Sequence, residues 1–136
     1  KNPLDSLKGF KGTKGKPELG QQNGRNVFEL KAPGAECVRK ALNVSENSTL
    51  LISCWIKGEQ IKATRRNGGS KVGLFYKVDG KSYWPAAKSL TGDFDWLKAS
   101  FKATIPVGCT KVTLLLGLAG AQGVIYMRDL SVEQIK

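Results

Sequence analysis

The chain has 136 residues, 40% of them hydrophobic, and carries 22 Lys and Arg against 11 Asp and Glu, giving a net charge of +11 and a pI near 9.8. That length supports one domain with one core, and that charge suits a polyanionic partner such as an acidic polysaccharide, a nucleic acid or an anionic surface. Histidine is absent and Cys37, Cys54 and Cys109 lie far apart without CxxC spacing, which argues against a zinc cluster and against Ser/His or Cys/His catalysis.

Residues 1–25 are rich in Lys and Gly, and Leu4, Leu7, Phe10 and Leu19 are spaced too irregularly for an amphipathic helix. They read as a loosely patterned, extended N-terminal edge with turns at Gly9, Gly12, Gly15 and Gly20. From Asn26 the pattern becomes regular. NVFELK, ECVRKALNV, TLLISCWIKG, KVGLFYKV, KSYWP, WLKASFKATI, KVTLLLGL and GVIYMRDLSV are each bounded by Gly, Pro, Asn or Ser clusters, which predicts about eight short strands and no long helix. The fold class expected is all-β, a two-sheet antiparallel β-sandwich of jelly-roll type, with residues 1–136 as a single module.

Alternation assigns the faces. Leu50, Ile52, Cys54 and Ile56 point one way and Leu51, Ser53, Trp55 and Lys57 the other; Val72, Leu74, Tyr76 and Val78 oppose Gly73, Phe75 and Lys77. Leu97, Ala99, Phe101, Ala103 and Ile105 form a third apolar set against Trp96, Lys98, Ser100 and Lys102, and Val112, Leu114, Leu116 and Leu118 a fourth. Asp79-Gly80 is a hairpin signal, Pro106 and Gly108 supply a turn, and the irregular pattern around Arg128 and Asp129 predicts a bulge. The cysteines read as buried thiols, Cys54 from its apolar face, with one disulfide and a leftover thiol as the alternative. No run reaches the ~18 apolar residues of a membrane helix. No signal peptide is visible and the chain begins at Lys1, so it reads as a mature or excised piece of a larger protein.

LLISCWIKGEQI, followed by YWPAAKSLTGDFDWLKASFKATIPVGCTKVTLLLGLAGAQGVIYMRDLSVE, resembles the jelly-roll carbohydrate-binding modules grouped around families 4, 16 and 22, with family 16 compared first for its tail and Tyr-Trp-Pro hairpin. The resemblance covers residues 26–136 well and the first 25 loosely. It implies a noncatalytic, secreted module that holds the catalytic domain of its parent chain against a polysaccharide. It also implies a structural calcium with oxygen ligands from the N-terminal segment and the last strand, for which Asp5 and Asp129 are the candidates; Arg128 stands where relatives have the first of two acids.

Sugar rings present flat apolar faces rimmed by hydroxyls, so a site needs exposed rings and polar neighbours. Trp84 and Tyr83, between the Asp79-Gly80 turn and Pro85, are the candidate platforms, with one of the two able to cap the core edge instead. Phe75 and Lys77 project from the neighbouring strand, and the hairpin is expected to share a sheet with Lys111–Leu118. Trp55 and Trp96 are expected on the other sheet in structural roles. Arg65 and Arg66, in the turn-rich IKATRRNGGSK connection, join Arg39, Lys77 and Lys88 as cations for a sulfated or uronic chain such as carrageenan or alginate. Tyr126, outward by alternation near the GAQG loop, is a further candidate contact. The alternatives are a neutral β-mannan or glucan and a single-stranded nucleic acid, which basic aromatic sheets also suit, although no RNP-type string is present. Asp93 and Asp95 read as turn residues beside Trp96 and no catalytic residue is assigned.

Overall fold

The computed structural model describes residues 17–22, 25–32 and 37–135. Its elements are β1 (Pro17–Gln22), β2 (Arg25–Ala32), β3 (Val38–Asn43), β4 (Thr49–Ala63), β5 (Gly69–Val78), β6 (Lys81–Tyr83), β7 (Gly92–Thr104), β8 (Lys111–Ala119) and β9 (Ala121–Gln134). Every ladder is antiparallel, in a five-stranded sheet of order β1-β2-β9-β4-β7 and a four-stranded sheet of order β3-β8-β5-β6. This is the β-sandwich jelly roll that the alternating strands predict.

The core lies where the inward sets meet. Leu50, Ile52, Cys54 and Ile56 of β4 face Val72 and Leu74 of β5 and Val112, Leu114, Leu116 and Leu118 of β8, all at 2% exposure or less. Each such aliphatic side chain contributes roughly 1.5–3 kcal/mol on leaving water, which is why period-two alternation fixes the register so strongly. Cys54 and Cys109 are buried free thiols. Burial pushes the Cys54 thiol up to about 12, and its S–H donates to the Arg128 carbonyl at 3.4 Å. Burial also raises the Tyr76 phenol, which donates to the Thr104 carbonyl across the sandwich at 3.4 Å.

The turns follow their chemistry. Asp79 and Gly80 have φ of 51° and 78°, the pair of positive values that a two-residue hairpin of this kind requires, and they bring Lys81 opposite Val78. The bulge expected in the last strand is present: β9 gains one residue on β4 between the Ser53–Ser131 and Trp55–Arg128 pairs, with Asp129 at φ 53°. β4 is longer than its sequence pattern, continuing to Ala63 through register shifts on either side of Gly58.

The N-terminal reading needs one correction. Pro17–Gln22 is a ninth strand, pairing with β2 from Pro17–Leu30 to Gln22–Arg25, and Gly20 sits in that ladder opposite Val27 instead of at a turn. PELGQQ has no alternation to announce a strand. The legible signal was the Asn23-Gly24 dipeptide after it, the strongest short-range hairpin marker in sequence. Gly9, Gly12 and Gly15 lie outside the described residues.

Candidate functional site

Register across the four-stranded sheet lays out its outer face in rows. Arg39 of β3, Leu115 of β8 and Gly73 of β5 are successive cross-strand partners, and Gly73 bridges on to Ala86. The next row toward the hairpin is Ala41, Thr113 and Phe75, extended by the ring of Trp84; beyond it Asn43 pairs with Lys111, and Lys77 with Ser82. On the other side Lys71 lies opposite Gly117. β8 and the Trp84 hairpin therefore share one sheet, as expected from sequence.

Trp84 begins a strap, residues 84–90, that continues the sheet edge beyond β6. Leu74 donates its N–H to the Pro85 carbonyl at 2.8 Å, Ala87 to Val72 at 2.9 Å and Ser70 to Leu90 at 2.9 Å, while the Leu90 N–H donates to Ser70 Oγ at 2.9 Å. Gly73 is what lets the strap approach, because a Cβ there would stand 3.0 Å from Ala86 Cβ and 3.1 Å from the Pro85 carbonyl oxygen. So held, the indole of Trp84 is 59% exposed and rests on the Phe75 ring with centroids 4.2 Å apart. Alternation turns Tyr83 the other way. It stacks on the core residue Tyr76 at 5.2 Å and 19°, capping the core edge while remaining 41% exposed, and so does not share a face with Trp84.

Charge is sorted between the sheets. β3, β5, β6, β8 and the strap contain Arg39, Lys40, Lys71, Lys77, Lys81, Lys88 and Lys111 and no Asp or Glu, whereas β1, β2, β4, β7 and β9 balance Glu18, Glu29, Glu59, Asp93, Asp95, Asp129 and Glu133 against Arg25, Lys31, Lys57, Lys62, Lys98, Lys102 and Arg128. Alternation places Arg39, Lys71, Lys77 and Lys111 on the outer face around Phe75 and Trp84. Lys71 and Lys111 were not among the sequence candidates; the signal for them is cross-strand register, which one strand cannot supply.

The other candidates are dispersed. Arg65 and Arg66 are exposed in the β4–β5 connection, at the end of the sheet where Gly69 pairs with Ala119, six positions along β5 from Phe75. Arg65 lies against Gly120, where a Cβ would clash with its side chain, and the Thr64 N–H donates to the Gly120 carbonyl at 2.8 Å. Tyr126 belongs to β9 on the other sheet, where its hydroxyl is 3.2 Å from Glu59 Oε1 and Lys57 Nζ lies 5.6 Å from its ring; it does not join the Trp84 face. Lys88 is exposed in the strap.

Trp55 and Trp96 lie on the five-stranded sheet, as expected, half-buried with the Arg128 guanidinium 5.7 Å and 4.5 Å from their rings. Arg128 therefore ties β9 to the edge strand β7 across β4. Its Nε is 4.0 Å from Asp129 Oδ2 and has no hydrogen-bond partner. Asp129 thus brings one carboxylate beside a cation, and no group of three His, Cys, Asp or Glu side chains with metal-holding geometry occurs among the described residues. The calcium expectation pairs Asp129 with Asp5, which lies outside the described residues. Asp93 and Asp95 are not in a turn but at the start of β7, where their Oδ1 atoms accept the N–H groups of Gln60 at 2.9 Å and Trp96 at 2.8 Å.

No family model and no curated protein matches the sequence. Solved structures do match in shape. The CBM22-1 xylan-binding domain from Paenibacillus barcinonensis Xyn10C superposes with a TM-score of 0.71 at 13% identity, over 99% of this chain and 92% of that one. A family 16 carbohydrate-binding module gives 0.64 at 13% identity, over 95% and 93%. The enzymatically active domain of bacteriophage CBA120 tailspike protein 4 gives 0.71 at 11% identity; this chain matches it over 97% of its own length and spans 20% of that chain. The chain has the jelly-roll fold of carbohydrate-binding modules of the family 4, 16 and 22 type.

Proposed function

We propose that this chain is a noncatalytic polysaccharide-binding module that holds a secreted glycan-degrading enzyme, the catalytic domain of the same parent chain, on an anionic polysaccharide such as carrageenan or alginate. The ligand lies on the outer face of the four-stranded sheet. One sugar stacks on Trp84, backed by Phe75, and sulfate or carboxylate groups on either side meet Lys77 and Lys111 toward the hairpin and Arg39, Lys71 and Lys88 toward the other end. The observation that carries this reading is the absence of any acid from the strands and strap that frame the one strongly exposed indole. A uniform excess of lysines would serve solubility; cations without a single acid on the sheet with the platform, beside a sheet whose charges balance, favour an anionic chain there.

Affinity electrophoresis of the wild type and a Lys77→Glu/Lys111→Glu variant, in gels containing carrageenan, alginate or glucomannan, tests it. Retardation by an anionic polymer, abolished by the charge reversals, is the expected result. Failure of all three polymers to retard the protein would overturn the module reading, and tighter binding of an oligonucleotide than of any glycan would replace it with a nucleic-acid function. The neutral-glycan alternative has one observation in its favour, the fold shared with a domain described as xylan-binding. It predicts retardation by glucomannan alone, unmoved by the charge reversals.

A further inference from the structure

At one side of the sandwich the edges of the two sheets face each other across a groove of about 280 Å³. One wall is the strap, with Ala87, Lys88 and Leu90; the other is β7, with Leu97, Lys98 and Ser100. Leu90 and Leu97 are half-buried against the core, whereas Lys88 and Lys98 are exposed, one from each sheet, and no carboxylate lines the groove. β7 is also the terminal strand of its sheet, so backbone N–H and C=O groups on its outer side point away from its only described neighbour, β4.

We infer that this seam is a second anionic-sugar subsite that continues the outer-face site around the edge of the sheet. A chain stacked on Trp84 and running along the strap reaches Lys88 after four residues, roughly 13 Å at about 3.3 Å per residue. Its next anionic sugar settles in the seam with an apolar ring face against Leu90 and Leu97. Its sulfate or carboxylate lies between Lys88 and Lys98, and its hydroxyls meet Ser100 and the β7 edge. The strap's hydrogen bonds to β5 hold that wall in place before any ligand arrives. Chemistry selects the occupant: two ammonium groups over an apolar floor, with no acid present, match a ring that is flat on one side and anionic at its rim, and match a neutral sugar less well.

This inference rests on the proposed function of the Trp84 face, and the test separates the two. Binding of carrageenan and of alginate is measured by affinity electrophoresis and calorimetry for the wild type, Lys98→Ser, Lys102→Ser and Trp84→Ala. Lys102 is an exposed residue of the same strand outside the groove, and its substitution changes net charge equally. Lys98→Ser is expected to weaken binding about threefold to fivefold, the range of one partly solvated charge pair, with Lys102→Ser at the wild-type value. Equal losses in the two lysine variants, or none in either, would overturn the seam subsite while leaving the Trp84 site standing. An unchanged Trp84→Ala variant, or a wild type that binds neither polymer, would overturn the Trp84 reading and the seam with it.

Discussion

Replacing Trp84 with alanine should cost the molecule much of its affinity while leaving it folded. The indole is 59% exposed, and a tryptophan side chain presents about 250 Å², so about 150 Å² faces solvent in the unbound protein. A sugar stacked on one face covers about half of that, which at about 25 cal/mol per Å² amounts to about 2 kcal/mol, or roughly a thirtyfold loss of affinity when the ring is removed. The fold loses the Phe75 ring pair, worth about 0.5–1.5 kcal/mol beyond its area, and the roughly 100 Å² of the residue already covered, about 2.5 kcal/mol at the same rate, so the melting temperature of a chain this size drops by about 10–15 °C with a cooperative transition retained. Isothermal titration with carrageenan or alginate oligosaccharides, beside differential scanning calorimetry, measures both. An affinity within twofold of wild type would refute the platform. A loss of affinity matched by collapse of the thermal transition would show that Trp84 supports the strap and is not a contact surface.

Arg128→Met should lower stability by about 1–2 kcal/mol through loss of the Trp55–Arg128–Trp96 stack and leave glycan affinity unchanged, because the stack is on the other sheet; an unmoved thermal transition would discount it. Alkaline pH should destabilise the protein. The Cys54 thiol goes from its ordinary 9.0 to about 12 on folding, so its contribution is complete below about pH 9 and is lost as pH climbs toward 12, where the unfolded chain has released the proton and the folded chain retains it. Tyr76 shifts in the same direction. Denaturant titrations from pH 8 to 11 should show a steeper decline for wild type than for Cys54→Val, and parallel curves would rule the thiol out. Calcium should leave the melting temperature unchanged, since Asp129 stands beside Arg128; a rise on adding calcium that EDTA reverses would mean that Asp5 brings further oxygens to the site.

The two-sheet architecture, and the direction of nearly every described side chain in it, were legible in the local pattern. Period-two alternation is a local property, and burying the apolar set of each strand leaves one choice of face: Cys54 inward with Ile52 and Ile56, Trp55 outward, Phe75 and Lys77 opposite Leu74 and Tyr76. The Asp79-Gly80 turn and the bulge at Arg128–Asp129 were legible for the same reason, because their backbone demands are met within a few residues. Pairing between distant strands was not legible. That Tyr126 stands on the sheet away from Trp84, and that Lys71 and Lys111 join Arg39 on one acid-free face, depend on which strands become neighbours. So does the seam, whose two lysines come from different sheets. Neighbours are chosen by burying many apolar faces at once, a sum over the whole chain that no single segment records.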